Sequence, residues 1–318
     1  RRPVLPCARY LLSRGKPAAL GFAAENRGTG MPDGILIINK PAGWTSMDVC
    51  AKIRGILREK RVGHGGTLDP MATGVLPVFV GQATRAVEFA ETSRKEYVAG
   101  MRLGVVTNTQ DTSGEVLEER PVAVSRVDVE AALSRFRGDI LQVPPMYSAV
   151  KIGGKKLYEL ARKGQEVERK PRPVTIYELE LLEQIHARDF LLRCVCSKGT
   201  YIRTLCHDLG QALGCGGAMF SLCRTMAAGF SLEQAVSLEA VQSQGDSLLL
   251  PTDSLFTAYP ILLLSSEQTE KRVRCGNPIS LPGTPDGTYR IYGHSRDFLC
   301  LSRAEKGTLT SIKNFFGA

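Results

Sequence analysis

Apolar positions along the chain fall into two periods, and each stretch predicts an element. Ile35-Leu36-Ile37-Ile38 runs into Asn39-Lys40-Pro41-Ala42-Gly43, the pattern of a short buried strand entering a turn. Thr45 with Asp48 forms a capping box, and Val49, Ile53, Ile56 and Leu57 supply the stripe of the helix behind it. Gly63-His64-Gly65-Gly66-Thr67-Leu68-Asp69-Pro70 is too rich in glycine for helix or strand and predicts a loop, followed by an apolar strand from Val75 to Val80. Lys95 to Leu103 alternates, with Tyr97, Ala99, Met101 and Leu103 on one face. Ser125 and Asp128 cap a helix through Phe136 that Gly138 ends. Thr175 to Ile185 and Phe190 to Cys196 read as paired strands joined at Ala187-Arg188-Asp189, and Ile202, Leu205, Leu209 and Leu213 mark a helix closed by Gly214. Beyond residue 251, turn signals at Gly276-Asn277-Pro278, Pro282-Gly283 and Asp286-Gly287 separate short apolar runs and predict a small all-β domain.

The 318 residues exceed the usual size of one domain and suggest a large domain with a smaller one. Hydrophobic residues at 43% and charged residues at 23% exclude a disordered or fibrous chain. No apolar run approaches the roughly 18 residues of a membrane-spanning helix. A net charge of +9 points to a polyanionic partner. That signal is weakened because residues 1–30 hold six basic residues and one acidic one. We read 1–30 as a basic extension outside the fold, with an organelle transit peptide as the alternative. Nine cysteines without a secretory leader predict buried thiols in a reducing cytoplasm. Cys194 and Cys196 share one strand face near Cys206-His207, but a second CxxC for zinc is missing.

Phosphate loops, nucleophile elbows and zinc-protease motifs are absent from the sequence. Asp111-Thr112-Ser113-Gly114 hints at a calcium loop, yet Arg120 falls where the bidentate glutamate belongs, so it reads as a turn. Asp69 is more unusual. It precedes Pro70, which holds the preceding residue in extended backbone, and the glycines upstream allow close backbone approach. Residue type alone fits equally a carboxylate that caps the following turn.

The run from Gly63 to Pro77 resembles the signature of the TruB family of tRNA pseudouridine synthases. Further segments continue the resemblance in order: Asn39-Lys40-Pro41, Lys95-Glu96-Tyr97, Val143-Pro144-Pro145-Met146-Tyr147-Ser148-Ala149-Val150-Lys151 and Cys196-Ser197-Lys198-Gly199-Thr200-Tyr201-Ile202-Arg203. They span residues 34 to about 230. One departure is Gly65, where the family usually has threonine, and this is expected to loosen the loop.

The resemblance implies isomerisation of uridine 55 in the T-loop of tRNA to pseudouridine, with no metal, nucleotide or redox cofactor. Asp69 would be the nucleophile, attacking either the sugar C1′ or the base C6. Arg203 would pair with it, favouring its ionised form and fixing its direction by a forked contact. Tyr97 would stack on the base and assist removal of the C5 proton. Tyr201 would be a second pocket tyrosine, and His64 would fill the stack vacated by the flipped nucleotide. Lys40 would bind substrate phosphate or support the loop, and Leu222 would line the pocket or lie in the core.

The fold implied is α+β, a mixed, largely antiparallel central sheet with flanking helices over residues 31–250, plus a small C-terminal β-rich domain of PUA-like type over 251–318 that contacts the acceptor end. Eight basic residues against three acids between Lys151 and Arg172 mark an RNA-gripping insertion at 146–172, with Lys151 a substrate contact and a basic helix ending at Arg162. The expected partner is the tRNA T-arm, engaged by a monomer without an obligate protein partner. A non-catalytic tRNA-remodelling protein is the alternative. A nucleoside glycosidase would need a second carboxylate, and none is apparent near Asp69.

Overall fold

A computed structural model describes residues 32–316, and the basic extension 1–30 lies outside them. In chain order the strands are β1 (Gly34–Lys40), β2 (Val62–His64), β3 (Thr73–Val80), β4 (Lys95–Leu103), a side hairpin of β5 (Val105–Thr107) and β6 (Val116–Glu119), β7 (Gly138–Gln142), a second hairpin of β8 (Lys151–Ile152) and β9 (Lys155–Lys156), then β10 (Arg172–His186), β11 (Asp189–Cys196), β12 (Gly217–Ala227) and β13 (Phe230–Ser231). The main sheet is ordered β1-β3-β12-β4-β11-β10-β7, with β2 paired to β3 and β13 to β12. Its pairings are antiparallel except at the seam between β3 and β12, where Thr73 faces Cys223 and Gly74 faces Arg224 in parallel. The architecture is α+β with a mixed, mainly antiparallel sheet, as the sequence led us to expect.

Alternation explains which face each strand buries. Tyr97, Ala99, Met101 and Leu103 share one cluster with Val129 and Leu133 from the helix Arg126–Leu133 and with Ile202, Leu205 and Leu209 from the helix Ile202–Ala212. Both predicted capping boxes form: Thr45 and Asp48 start the helix Ser46–Leu57, and Ser125 and Asp128 start Arg126–Leu133. The first of these helices lays Val49, Ile53 and Leu57 on Leu36, Ile38, Leu76 and Val78. Apart from Cys7, which lies outside the described residues, the cysteines are not joined in disulfides, and all but Cys275 are buried.

A second sheet, β14 (Ile261–Leu263), β15 (Ile279–Ser280), β16 (Gly287–Tyr292), β17 (Phe298–Glu305) and β18 (Thr308–Asn314), has the order β14-β16-β17-β18-β15. Leu301, Phe315 and the preceding Phe256 join Ile35, Phe79 and Ala86 in one cluster, which seats this sheet on the first.

Three local expectations are corrected. Val62–His64 is a strand, because Val62 is buried opposite Val80 and Gly63 faces Phe79 without a side chain of its own. The insertion's helix is only Leu157–Ala161 and carries no basic residue; Lys151, Lys155 and Lys156 sit on the β8–β9 hairpin, where Gly153 and Gly154 adopt positive φ. The C-terminal unit is not all-β, since it contains the helix Glu267–Arg274. That helix buries only Val273, so no apolar stripe announced it.

Candidate active site

The loop between β2 and β3 is held from behind. Ser46 Oγ accepts the Leu68 N–H at 2.9 Å and donates to the Leu68 carbonyl at 3.3 Å. The Pro70 carbonyl accepts from the Gly43 N–H at 2.8 Å and from Lys40 Nζ at 3.2 Å. Gly66 and Gly74 bracket the segment at φ +102° and +101°, a conformation that costs glycine nothing. The turn after Asp69 closes through its backbone, with Ala72 N–H donating to the Asp69 carbonyl at 3.0 Å. The carboxylate contacts a side chain from another element and not the N–H groups of that turn.

It meets Arg203 instead. Arg203 lies in the first turn of Ile202–Ala212, and its Nε stands 3.0 Å from Asp69 Oδ2 while Nη2 stands 3.4 Å from Oδ1. The guanidinium is itself fixed, because Nη1 donates to the Thr109 carbonyl at 3.0 Å and Nη2 to the Tyr147 carbonyl at 2.9 Å. Its side chain is 6% exposed against 37% for Asp69. A buried cation thus orients a carboxylate that remains open to an incoming molecule.

Sequence reasoning missed Asp111. Its Oδ2 lies 3.5 Å from Arg203 Nη1, while its Oδ1 accepts from Thr109 Oγ1, Ser113 N–H and Ser113 Oγ. The turn that failed as a calcium loop is what aims Asp111 at the guanidinium. The expectation that no second carboxylate neighbours the site is corrected: Asp69 and Asp111 share one arginine. The signal available in sequence was the Asp-Thr-Ser turn, but its partner lies more than ninety residues away.

Tyr97 is buried in the cluster that holds Leu68, Ala72 and Leu222. Burial pushes its phenol up, while Arg224 pulls it down. Leu222 is buried as well, two residues before Arg224 on β12. Tyr201 is half-buried at the start of Ile202–Ala212, and both its N–H and its carbonyl are held by the Gln142 side chain. His64 sits on β2 opposite Val78; burial and Arg224 both lower its pKa, and Nδ1 has no partner. Lys151 is exposed on β8.

Of the two roles expected of Lys40, the geometry supplies loop support. The side chain has no exposed surface, and Nζ donates to the carbonyls of Pro41, Trp44 and Pro70. Burial lowers it to about 8, with Asp69 acting in the opposite direction.

Gly65 does not loosen the loop. It is buried, its N–H bonds the Pro77 carbonyl at 2.9 Å, and a Cβ there would lie 2.7 Å from Ala90 Cβ and 3.1 Å from Phe79. The space a threonine would need is already filled. Gly65→Thr is expected to destabilise the protein by about 1–3 kcal/mol, as overpacking does, measured by denaturant unfolding; an unchanged midpoint would contradict this packing.

Comparison with known proteins agrees with the geometry. A family model described as TruB family pseudouridylate synthase (N terminal domain) matches residues 54–202, and one described as tRNA pseudouridylate synthase B C-terminal domain matches 203–257. A protein of Clostridium kluyveri named tRNA pseudouridine synthase B is 41% identical over 291 residues, covering 89% of this chain and 99% of its own. The chain belongs to the TruB family. A relative of the same name from Stutzerimonas stutzeri is 46% identical over 275 residues, 84% of this chain and 90% of its own. Among solved structures, a Cbf5-Nop10-Gar1 complex contains a chain similar at TM-score 0.68 and 28% identity, covering 90% of this chain and 86% of that one. An H/ACA RNP bound to a substrate RNA containing 2′-deoxyuridine contains one at 0.67 and 26%, with the same coverage.

Proposed function

We propose that this TruB protein converts uridine 55 of the tRNA T-loop to pseudouridine, with Asp69 as nucleophile. One observation carries the reading: Arg203 holds both oxygens of a partly exposed carboxylate from a buried position, at 3.0 and 3.4 Å. A protein that only bound RNA would gain nothing from a buried guanidinium aimed at an open carboxylate.

In the reaction, the bond between uracil N1 and the sugar C1′ breaks and the base turns within the pocket. A bond from C5 to C1′ then forms, the C5 proton leaves and N1 takes one up. A carboxylate oxygen of Asp69 forms a transient bond to the nucleotide and later releases it. No atom or electron is gained overall. Tyr97, flanked by Leu68 and Leu222, offers a flat apolar surface for the uracil once it has left its stack. A neutral phenol suits stacking, and it assists loss of the C5 proton only through its oxygen lone pair.

The insertion would grip the T-arm. Met146, Leu157 and Leu160 form its own small cluster, with Tyr147 and Val150 packed on it, so its cations stand on a folded platform. Because Arg203 also bonds the Tyr147 carbonyl, the platform and the catalytic pair are joined. The small C-terminal sheet would take the acceptor end in the manner of PUA-like domains, and cysteines without disulfides among the described residues fit work in the reducing cytoplasm.

The test is an unmodified T-arm transcript carrying tritium at uridine C5. Wild-type protein is expected to release label from uridine 55 and not from a transcript in which that position is cytidine and the other uridines are labelled. Binding without release would leave a tRNA binder in place of an enzyme.

A further inference from the structure

Arg224 is a feature of this fold that no step above uses. It is among the largest fully buried side chains, and among the described residues no carboxylate lies within ion-pair distance of it. A buried cation without a counter-charge is costly unless carbonyl oxygens take its hydrogens. Here they do: Nε donates to the Val75 carbonyl at 2.7 Å and Nη2 to the Gly66 carbonyl at 3.0 Å. Those two carbonyls flank the segment that carries Asp69.

The glycines at the ends of that segment tell the same story. A Cβ on Gly66 would touch Arg224 Nη1 at 3.5 Å, and one on Gly74 would lie 2.2 Å from the Arg224 carbonyl. Arg224 stands at the parallel seam of the sheet, beside Gly74 on one side and opposite Tyr97 on the other. Residues directly opposite in an antiparallel pair project to the same face. The ladder shifts register between Arg224 and Met226, the kind of irregularity that re-aims a side chain.

We propose that Arg224 is a positioning residue, a fork behind the loop that fixes Asp69 and Tyr97 relative to one another. The inference rests on the pseudouridine reading and deepens it. Its influence on neighbouring titrations is consistent with a central place, since it lowers Tyr97, His64, Lys95 and Lys40 alike. Strand β12 has an independent anchor on the sheet's other face, where Thr225 Oγ1 donates to Glu96 Oε1 at 2.7 Å and Arg193 grips Glu96. Removing the fork therefore need not unfold the strand.

Arg224→Lys keeps the charge and loses the fork, and Arg224→Gln keeps a donor and loses the charge. Each variant, in saturating excess over C5-tritiated T-arm, is mixed with it and the rate of release from the bound complex is measured in a single turnover, so that misfolded molecules do not count. Amide hydrogen exchange is followed in parallel. Both variants are expected to bind the T-arm within a few-fold of wild type and to release label about 100-fold more slowly, as misplacement by an ångström does. Faster exchange is expected within residues 66–75, with the helices 126–133 and 202–212 unchanged. The proposal is overturned by a rate within tenfold of wild type, by a loss explained by binding, or by exchange that rises throughout. It is equally overturned if neither variant yields protein that binds the T-arm, because Arg224 would then be a requirement of folding. Absence of release from wild type would sink the pseudouridine reading instead, and the exchange pattern would still report whether Arg224 orders the loop.

Discussion

Asp69→Asn is expected to abolish pseudouridine formation while leaving T-arm binding intact. The amide matches the carboxylate in size and still offers Arg203 an oxygen, and Arg203 keeps the carbonyls of Thr109 and Tyr147 together with Asp111. The neutral amide cannot form the transient bond, because its oxygen lacks the charge of a nucleophile. Loss of a covalent nucleophile typically costs at least about 10⁴-fold in kcat, which corresponds to roughly 5 kcal/mol of transition-state stabilisation. The measurement is single-turnover tritium release beside the dissociation constant for the T-arm. Reversion by deamidation should not confuse it, since Pro70 has no backbone N–H to attack the amide. Release within tenfold of wild type would remove Asp69 from the chemistry.

Arg203→Lys is expected to follow closely, for a different reason. The guanidinium serves Asp69 Oδ1 and Oδ2, Asp111 Oδ2 and two carbonyls from one planar fork. An ammonium is a point charge and cannot hold both oxygens of Asp69 in a fixed plane. The carboxylate would keep an attractive cation nearby but lose its direction, and Thr109 and Tyr147 would lose their donor. We expect kcat to fall about 10²–10³-fold, the scale of losing one preorganised electrostatic contact, with little change in KM because the side chain is buried. Stability should fall as well, by about 1–3 kcal/mol for each carbonyl left unpaired. Steady-state kinetics and thermal unfolding separate the two effects. A lysine variant with kcat near wild type would mean that charge alone suffices and that the fork carries no catalytic weight.

Much of the fold was legible because its causes are local. The capping boxes at Thr45 and Ser125 need only residues three positions apart. The inward face of β4 follows from alternation, and the β10–β11 turn from a break between two apolar runs. Where local causes were weak, the reading failed. Glu267–Arg274 has a single buried side chain, and Val62–His64 is a strand only because β3 is there to pair with it. The candidate site divides in the same way: Asp69, Arg203 and Tyr97 stood out through resemblance, whereas Asp111, Arg224 and Gln142 did not.

By itself, the sequence determined where chain segments become strand, helix or turn, because steric preference, alternation and capping act over a few residues. Only the tertiary structure decided what Arg203 and Arg224 hold. Their partners lie 134 and 149 residues away in the cases of Asp69 and Val75, and they meet only because the sheet sets β12 beside β3 and packs the helix Ile202–Ala212 against β4 and β12. A charged side chain in a strand carries no local mark of its partner. Its energy depends on which carbonyls and carboxylates the folded sheet brings within reach.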